Sequence, residues 1–343
     1  MKSCLNLPQE IWIGVVKELG RPSHISAYCL PLGSAIALAH LCLVNRAFNS
    51  ITEPVLYSRM LITQRSLEGF SKSFAISALR SGYGRSDKGK LVNSLALLVF
   101  DDNDPEELES EKVQQIGAIF DAVKSTVTRQ FLDTPIDPTR PSLRIGGIHD
   151  ATVMKTLAGF SAIEELCSTD DATARCDTWL PSWALGFKLK RIALSGCYVA
   201  NYHLVGMAGM ESLETCIMAS LTEMEYDSET FALRDVVAGS WTIGRPQELV
   251  VVVCEIEDWV TDRFEESCKE NIELGQSTER AGSGVFKMRK IEVSEGDGLM
   301  AYPAIAQRQR AWFTQSAIDG TIWDKDFQVL WDAYRKKLTG LPE

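Results

Sequence analysis

Short apolar runs recur along most of this chain, and their spacing limits the fold more than any other feature. LVNSLALLVF (91–100), SLRIGGI (142–148), IEELCS (163–168), LKRIALSGC (189–197), SLETCIM (212–218), ELVVVVCEI (248–256) and VFKMRKIEV (285–293) read as strands. Their centres lie roughly 20 to 40 residues apart, with helical or irregular stretches between them. Such alternation predicts an α/β fold with a mostly parallel sheet. One intervening helix is spelled out after the first run. In DDNDPEELESE (101–111), Asp104 suits an N-cap, Pro105 the first helical position, and Glu106 and Glu107 the first turn. Leu108, Val113, Ile116, Ile119, Phe120, Val123 and Val127 continue its apolar face, and DTPIDPTRPS (133–142) is a connecting loop.

At 343 residues the chain suits two or so domains, or one solenoid. Its 45% hydrophobic and 24% charged content is that of a globular protein rather than a disordered one. A formal charge of −11 argues against affinity for nucleic-acid phosphates or anionic membranes. The nine cysteines are odd in number and scattered, without a C-x-x-C pair. They read as reduced thiols in the cytosol or nucleus, not as a disulfide framework or a zinc site. Glu10 and Glu18 interrupt the apolar residues of Met1–Gly20, unlike a secretory signal, and no run reaches the ~18 apolar residues of a membrane span.

The first sixty residues are helical in pattern. LPQEIWIGVVKEL (7–19) places Pro8 near its start and lines up Ile11, Val15 and Leu19, while Trp12, Ile13 and Val16 widen the apolar surface. ALAHLCLVNRAFNSI (37–51) predicts a second helix, with Leu38, Leu41, Val44, Ala47, Phe48 and Ile51 inside and Leu43 beyond. Glu53-Pro54 breaks the pattern before VLYSRMLI (55–62). A module this short cannot bury all these positions by itself, so they pack on the rest of the chain or on a partner. The order Leu7-Pro8-x-Glu10-Ile11, then Val15-Val16 and Leu19, then LCLVNRAFNSITEPVLY (41–57), resembles the F-box of many fungal proteins. That resemblance spans about residues 5–60, and it implies docking on a Skp-type adaptor and, through it, a cullin. It assigns Leu7, Pro8, Ile11, Val15, Val16, Val44, Phe48, Leu56 and Tyr57 to adaptor binding or to the F-box core. The stretch RPSHISAYCLPLGSAIA (21–37) is longer than the connection usual there.

Leu185, Leu189, Ile192 and Leu194, with Cys197 following, resemble a leucine-rich repeat, which places one strand in each repeat of about 20–29 residues. The wider gaps here imply degenerate repeats with insertions. An ordinary α/β domain would give the same alternation; leucine-rich regions of this irregular kind in F-box-like fungal proteins point to the solenoid. The expected α/β architecture is therefore an F-box-like helical module (1–62), a connection (63–90), a leucine-rich-repeat-like α/β solenoid (91–300) and a C-terminal helical cap (301–343). AIAQRQRAWFTQSAI (304–318) and DKDFQVLWDAYRKKL (324–338) supply the cap, which is expected to cover the open end of the solenoid core.

Motifs for chemistry are weak. GRSDKGK (84–90) fits G-x-x-x-x-G-K, but Leu91 stands where Ser or Thr should hold magnesium, and the motif precedes a strand instead of following one. It reads as a basic linker. His149-Asp150 lacks a nucleophile motif, the acidic run 101–111 lacks calcium-loop spacing, and GSGVF (282–286) is short of a dinucleotide fingerprint. The expected function is that of a non-catalytic substrate receptor in a Skp–cullin–F-box ubiquitin ligase, with no cofactor, nucleic acid or membrane. The concave solenoid face would take the target protein, with Asp170, Asp171, Tyr198 and Tyr202 as candidates. A scaffold whose F-box binds only the adaptor or has decayed is the alternative. A nucleotide-binding α/β enzyme using the 84–90 loop is a third possibility.

Overall fold

A computed structural model describes residues 8–22, 27–81, 87–98, 110–133, 159–169, 188–195, 212–219, 248–254, 285–291 and 302–323. Three helices come first: α1 (Gln9–Leu19), α2 (Leu32–Val44) and α3 (Arg46–Ser58). Glu10 in the first turn and Lys17 in the last oppose the dipole of α1. Its end approaches α3 so closely that a Cβ on Gly20 would lie 2.0 Å from Val55 Cγ1. The single helix expected over 37–51 is two. Asn45 is extended, and its side chain accepts a hydrogen bond from the Phe48 N–H at 2.9 Å, ending α2 and capping α3. Pro54, expected to break the pattern, lies inside α3 instead. It sits on the exposed side, as does Ser50 one turn earlier, so the carbonyl it strands meets water rather than the core.

Val16, Leu30 and Leu38 form the centre of this module, with Leu19, Ala35, Leu41, Ile51, Val55 and Leu56 packed around them. The chain then enters a sheet earlier than expected. Strand β1 (Arg59–Thr63) follows α3 directly, and the supposed connection 63–90 holds the 18-residue helix α4 (Gln64–Ser81) and a 3-10 turn (Lys88–Leu91). Leu67 and Phe74 are buried along one side of α4, which packs beside α5 (Ser110–Val123).

The remaining strands are β2 (Ser94–Leu98), β3 (Arg129–Asp133), β4 (Glu165–Ser168), β5 (Arg191–Ser195), β6 (Thr215–Ala219), β7 (Glu248–Cys254) and β8 (Val285–Ile291). All eight are parallel and lie side by side in sequence order. The fold is mixed α/β with one parallel sheet. The first residues of β1 to β6, namely Arg59, Ser94, Arg129, Glu165, Arg191 and Thr215, stand level across the sheet. Of the seven runs read as strands from sequence, 142–148 lies outside the described residues and the other six coincide with β2 and β4 to β8, β6 running one residue past its run.

The order has a physical consequence. Crossovers between parallel strands are right-handed almost without exception, and here every step moves in the same direction. For the steps from β1 to β3 this places α4 and α5, which pack beside each other, on one face of the sheet. Leu95, Leu97, Leu132, Leu166 and Ile192 point to the face of α4 and α5 and are buried. The other face needs a different cover, and α6 (Tyr302–Asp319) with the turn Thr321–Trp323 provides it. Ala96, Phe131, Cys167, Ala193 and Ile217 form one row across β2 to β6, packed against Trp312, Phe313, Ala317 and Ile322. The helix expected to cap the end of the sheet thus lies across its face. Gly320, with φ 82°, stops α6 as only glycine does without strain. The second cap helix, 324–338, lies outside the described residues. Among the described residues no helix is long and apolar enough to cross a membrane.

Candidate functional site

Two surfaces are built by this arrangement. The first is on the three-helix module. Ile11 and Val15, one turn apart on α1, remain 50% and 40% exposed, and Val44 at the end of α2 remains 52% exposed. Pro8, which precedes α1, is exposed as well. The core around Val16 is complete without these side chains, so they are available to a partner. The other positions assigned by resemblance work inward. Val16 is central to the core and Leu56 packs on it. Phe48 is buried, edge-on to Trp12 at 4.8 Å between ring centroids. Tyr57 turns toward α4 and the 3-10 turn: its hydroxyl accepts a hydrogen bond from Lys88 Nζ at 2.9 Å, and its ring lies 6.4 Å from Phe74. Leu7 lies outside the described residues.

Sequence reasoning set Leu43 outside the inner face but passed over Leu32 and Ile36. Leu32, Ile36 and Leu43 fall on one side of α2, facing away from Leu38, and all three are exposed. The signal was the run of apolar residues all round α2, more than a helix with one buried side requires.

The second surface is the sheet face opposite α4 and α5. Its first row carries charge: Arg129 Nε donates to Glu165 Oε2 at 2.8 Å, and Arg191 donates to the other carboxylate oxygen of Glu165. The Arg129 guanidinium stacks over the Tyr28 ring at 4.7 Å, and that of Arg191 over Trp323 at 4.8 Å. Farther along the strands, Arg310 of α6 donates to Asp133 at 2.9 Å, and the Thr169 hydroxyl donates to the same carboxylate at 2.6 Å. Tyr28 is fully buried between these rows, its hydroxyl 3.3 Å from Cys167 Sγ. Burial pushes the Cys167 thiol up to about 12, and burial likewise raises the Tyr28 phenol well above its ordinary value. Neither group is a nucleophile at neutral pH.

No protein-family model, curated protein or solved structure matches this chain.

The filled face bears on one expectation. A solenoid presents the face opposite its crossover helices, yet from β2 to β6 the central row is occupied by the protein's own side chains. Small residues explain the fit: Ala96, Cys167 and Ala193 leave room above the sheet that Trp312 and Phe313 fill. The four target-site candidates, Asp170, Asp171, Tyr198 and Tyr202, lie outside the described residues. The 84–90 loop is also not arranged as a phosphate cradle where it is described. Asp87 caps its own 3-10 turn by accepting from the Gly89 N–H at 3.1 Å, and Lys88 is engaged by Tyr57. Nor does the sheet offer the usual α/β ligand crevice, which forms where strand order reverses; here it never does across the eight described strands.

Proposed function

We propose that this chain is a substrate receptor of a Skp–cullin–F-box type ubiquitin ligase. Its N-terminal helices dock on the adaptor, and a leucine-rich-repeat-like solenoid holds a target protein. The observation that carries the proposal is the exposed set Ile11, Val15 and Val44 on a module whose core closes without them. Those residues also stand at positions of the F-box-like pattern, and the three-helix arrangement suits it. Parallel strands in strict sequence order support the solenoid part of the reading. Such a receptor makes and breaks no bonds. It raises the effective concentration of target lysines near the ubiquitin-loaded enzyme.

The test is co-expression with a Skp-type adaptor, comparing the wild type with Ile11→Asp/Val15→Asp. Both side chains are exposed, so the variant should keep the wild-type thermal transition. Losing the burial of an Ile and a Val, each worth about 1.5–3 kcal/mol, should weaken adaptor binding by about 100-fold or more. A folded wild type that does not retain the adaptor, or a variant that binds as tightly as the wild type, would refute the docking role. A scaffold that binds the adaptor without joining a cullin is a second reading, favoured by the filled sheet face. Adaptor without cullin in the purified complex would select it.

A further inference from the structure

Residues 27–30 lie in the long connection between α1 and α2, and they touch three parts of the molecule at once. Leu30 belongs to the core of the three-helix module, beside Val16 and Leu38. Tyr28, two residues earlier, belongs to the core of the sheet face, with Phe131 at 6.1 Å and Cys167 at hydrogen-bond distance. Two residues of extended chain span at most ~7 Å, so neither anchor has slack relative to the other.

The backbone of the segment is bonded in both directions. The Tyr28 carbonyl accepts from Ser94 Oγ at 2.8 Å, and the Ala27 carbonyl accepts from Arg129 at 3.1 Å and from Arg59. The Tyr28 N–H donates to the Ile318 carbonyl at 2.9 Å. Ile318 is in the last turn of α6, where carbonyls have no partner within the helix, so a residue from the other end of the chain caps α6. Beyond that point Trp323 is stacked under Arg191, and toward the start of the helix Arg310 is paired with Asp133.

We infer that residues 27–30 are a clip that joins the seating of α6 to the integrity of the three-helix module. Lifting α6 removes the partner of the Tyr28 N–H and uncovers its ring, and the short step to Leu30 carries that loss into the core around Val16. Conversely, a partner that tightens the module holds α6 down. The coupling is a property of the chain alone and stands whether or not the exposed face of the module binds an adaptor.

Hydrogen exchange on the full-length protein tests the clip. Phe313→Ala loosens α6, and exchange should rise in α6, in 27–30 and in α1–α3, while α5, on the other face of the sheet, holds its wild-type rate. A coupling of ordinary allosteric size corresponds to about 5- to 150-fold faster exchange in the module. Two glycines inserted after Cys29 add slack between the anchors, and in that background Phe313→Ala should no longer reach the module. Faster exchange confined to α6, or an equal rise in every element, would overturn the inference. So would a module response that survives the insertion. If Phe313→Ala does not accumulate as folded protein, Arg310→Ala, at the edge of the contact, replaces it with the same expected pattern.

Discussion

Glu164 and Glu165 are adjacent, and each pairs with a cation at or just before the start of a neighbouring strand, yet the structure assigns them very different roles in stability. Glu164 meets Lys190 at 2.9 Å with both side chains more than 40% exposed. Glu165 meets Arg129 at 2.8 Å with both side chains under 15% exposed, and it also holds Arg191. At about 2.8 Å and an effective dielectric near 20, the gross attraction between unit charges is roughly 6 kcal/mol. Much of that offsets the cost of taking the charges out of water. Removing one member of a buried pair leaves the other without its counter-charge, and such losses run to about 3–5 kcal/mol. Glu165→Gln keeps the size of the side chain and removes only the charge, and it is expected to cost that amount.

Glu164→Gln is the control, since exposed pairs between solvated side chains contribute little. Urea unfolding followed by circular dichroism should show a lower midpoint for Glu165→Gln and an unchanged one for Glu164→Gln. Raising salt from about 0.1 M to 1 M shortens the screening length from ~10 Å to ~3 Å, and the Glu165 effect should persist because solvent ions do not reach it. Equal losses for the two variants, or a Glu165 loss that vanishes at high salt, would refute the burial of the Glu165 pair as the source of the difference.

Two further outcomes follow from other buried groups. Gln130 is fully buried, level with Leu95 and Leu166, and neither atom of its amide finds a partner among the described residues. Gln130→Leu should therefore raise stability by about 1–3 kcal/mol, read as a higher thermal midpoint, and an unchanged or lower midpoint would mean the amide is satisfied in solution. Cys167 and Tyr28 both have raised pKa values in the fold, so the unfolded chain loses these protons first as pH rises. The stability they protect is intact below about pH 9, the ordinary thiol value, and falls on the way to about 12. The Cys167 part of that slope is ~1.4 kcal/mol per pH unit. Cys167→Ala should flatten the alkaline limb of a stability–pH curve, and an unchanged slope would show that the thiol is not shielded.

What was legible in the sequence follows from how each element earns its burial. Strands β2 and β7 announce themselves because leucine and valine fill them, and β4, β5, β6 and β8 because shorter apolar runs mark them. Strand β3 does not. Its sequence RQFLD has only two apolar residues; Arg129 and Asp133 are paired with Glu165 and Arg310 from distant parts of the chain, and Gln130 between them is buried with no partner among the described residues. Strand β1 was hidden behind Pro54, whose reading as a breaker fails where its stranded carbonyl faces water. Helix α4 carries five serines and a glycine among Leu67, Phe70 and Phe74, a composition closer to a connection than to a packed helix. In the candidate site, the excess of apolar residues was visible, but their division between core and surface was not. That division depends on the bend at Asn45, which turns Phe48 inward and leaves Val44 outside.

Tyr28 gave no sequence signal of its own, and the reason bears on how the chain works. A lone aromatic in a long connection has no period, and its value comes entirely from a pocket made by Phe131, Cys167 and Arg129 on two strands and closed by the end of α6. Sheet, clip and α6 are complementary only as a set: the small residues Ala96 and Ala193 would leave gaps without Trp312 and Phe313, and α6 would lack a cap without Tyr28. For a receptor of the proposed kind, this moves the target away from the centre of the β2–β6 face and leaves the rims of the sheet for recognition. It also makes the exposed helices and the covered sheet one mechanical unit, so a load taken up at either is carried by the other.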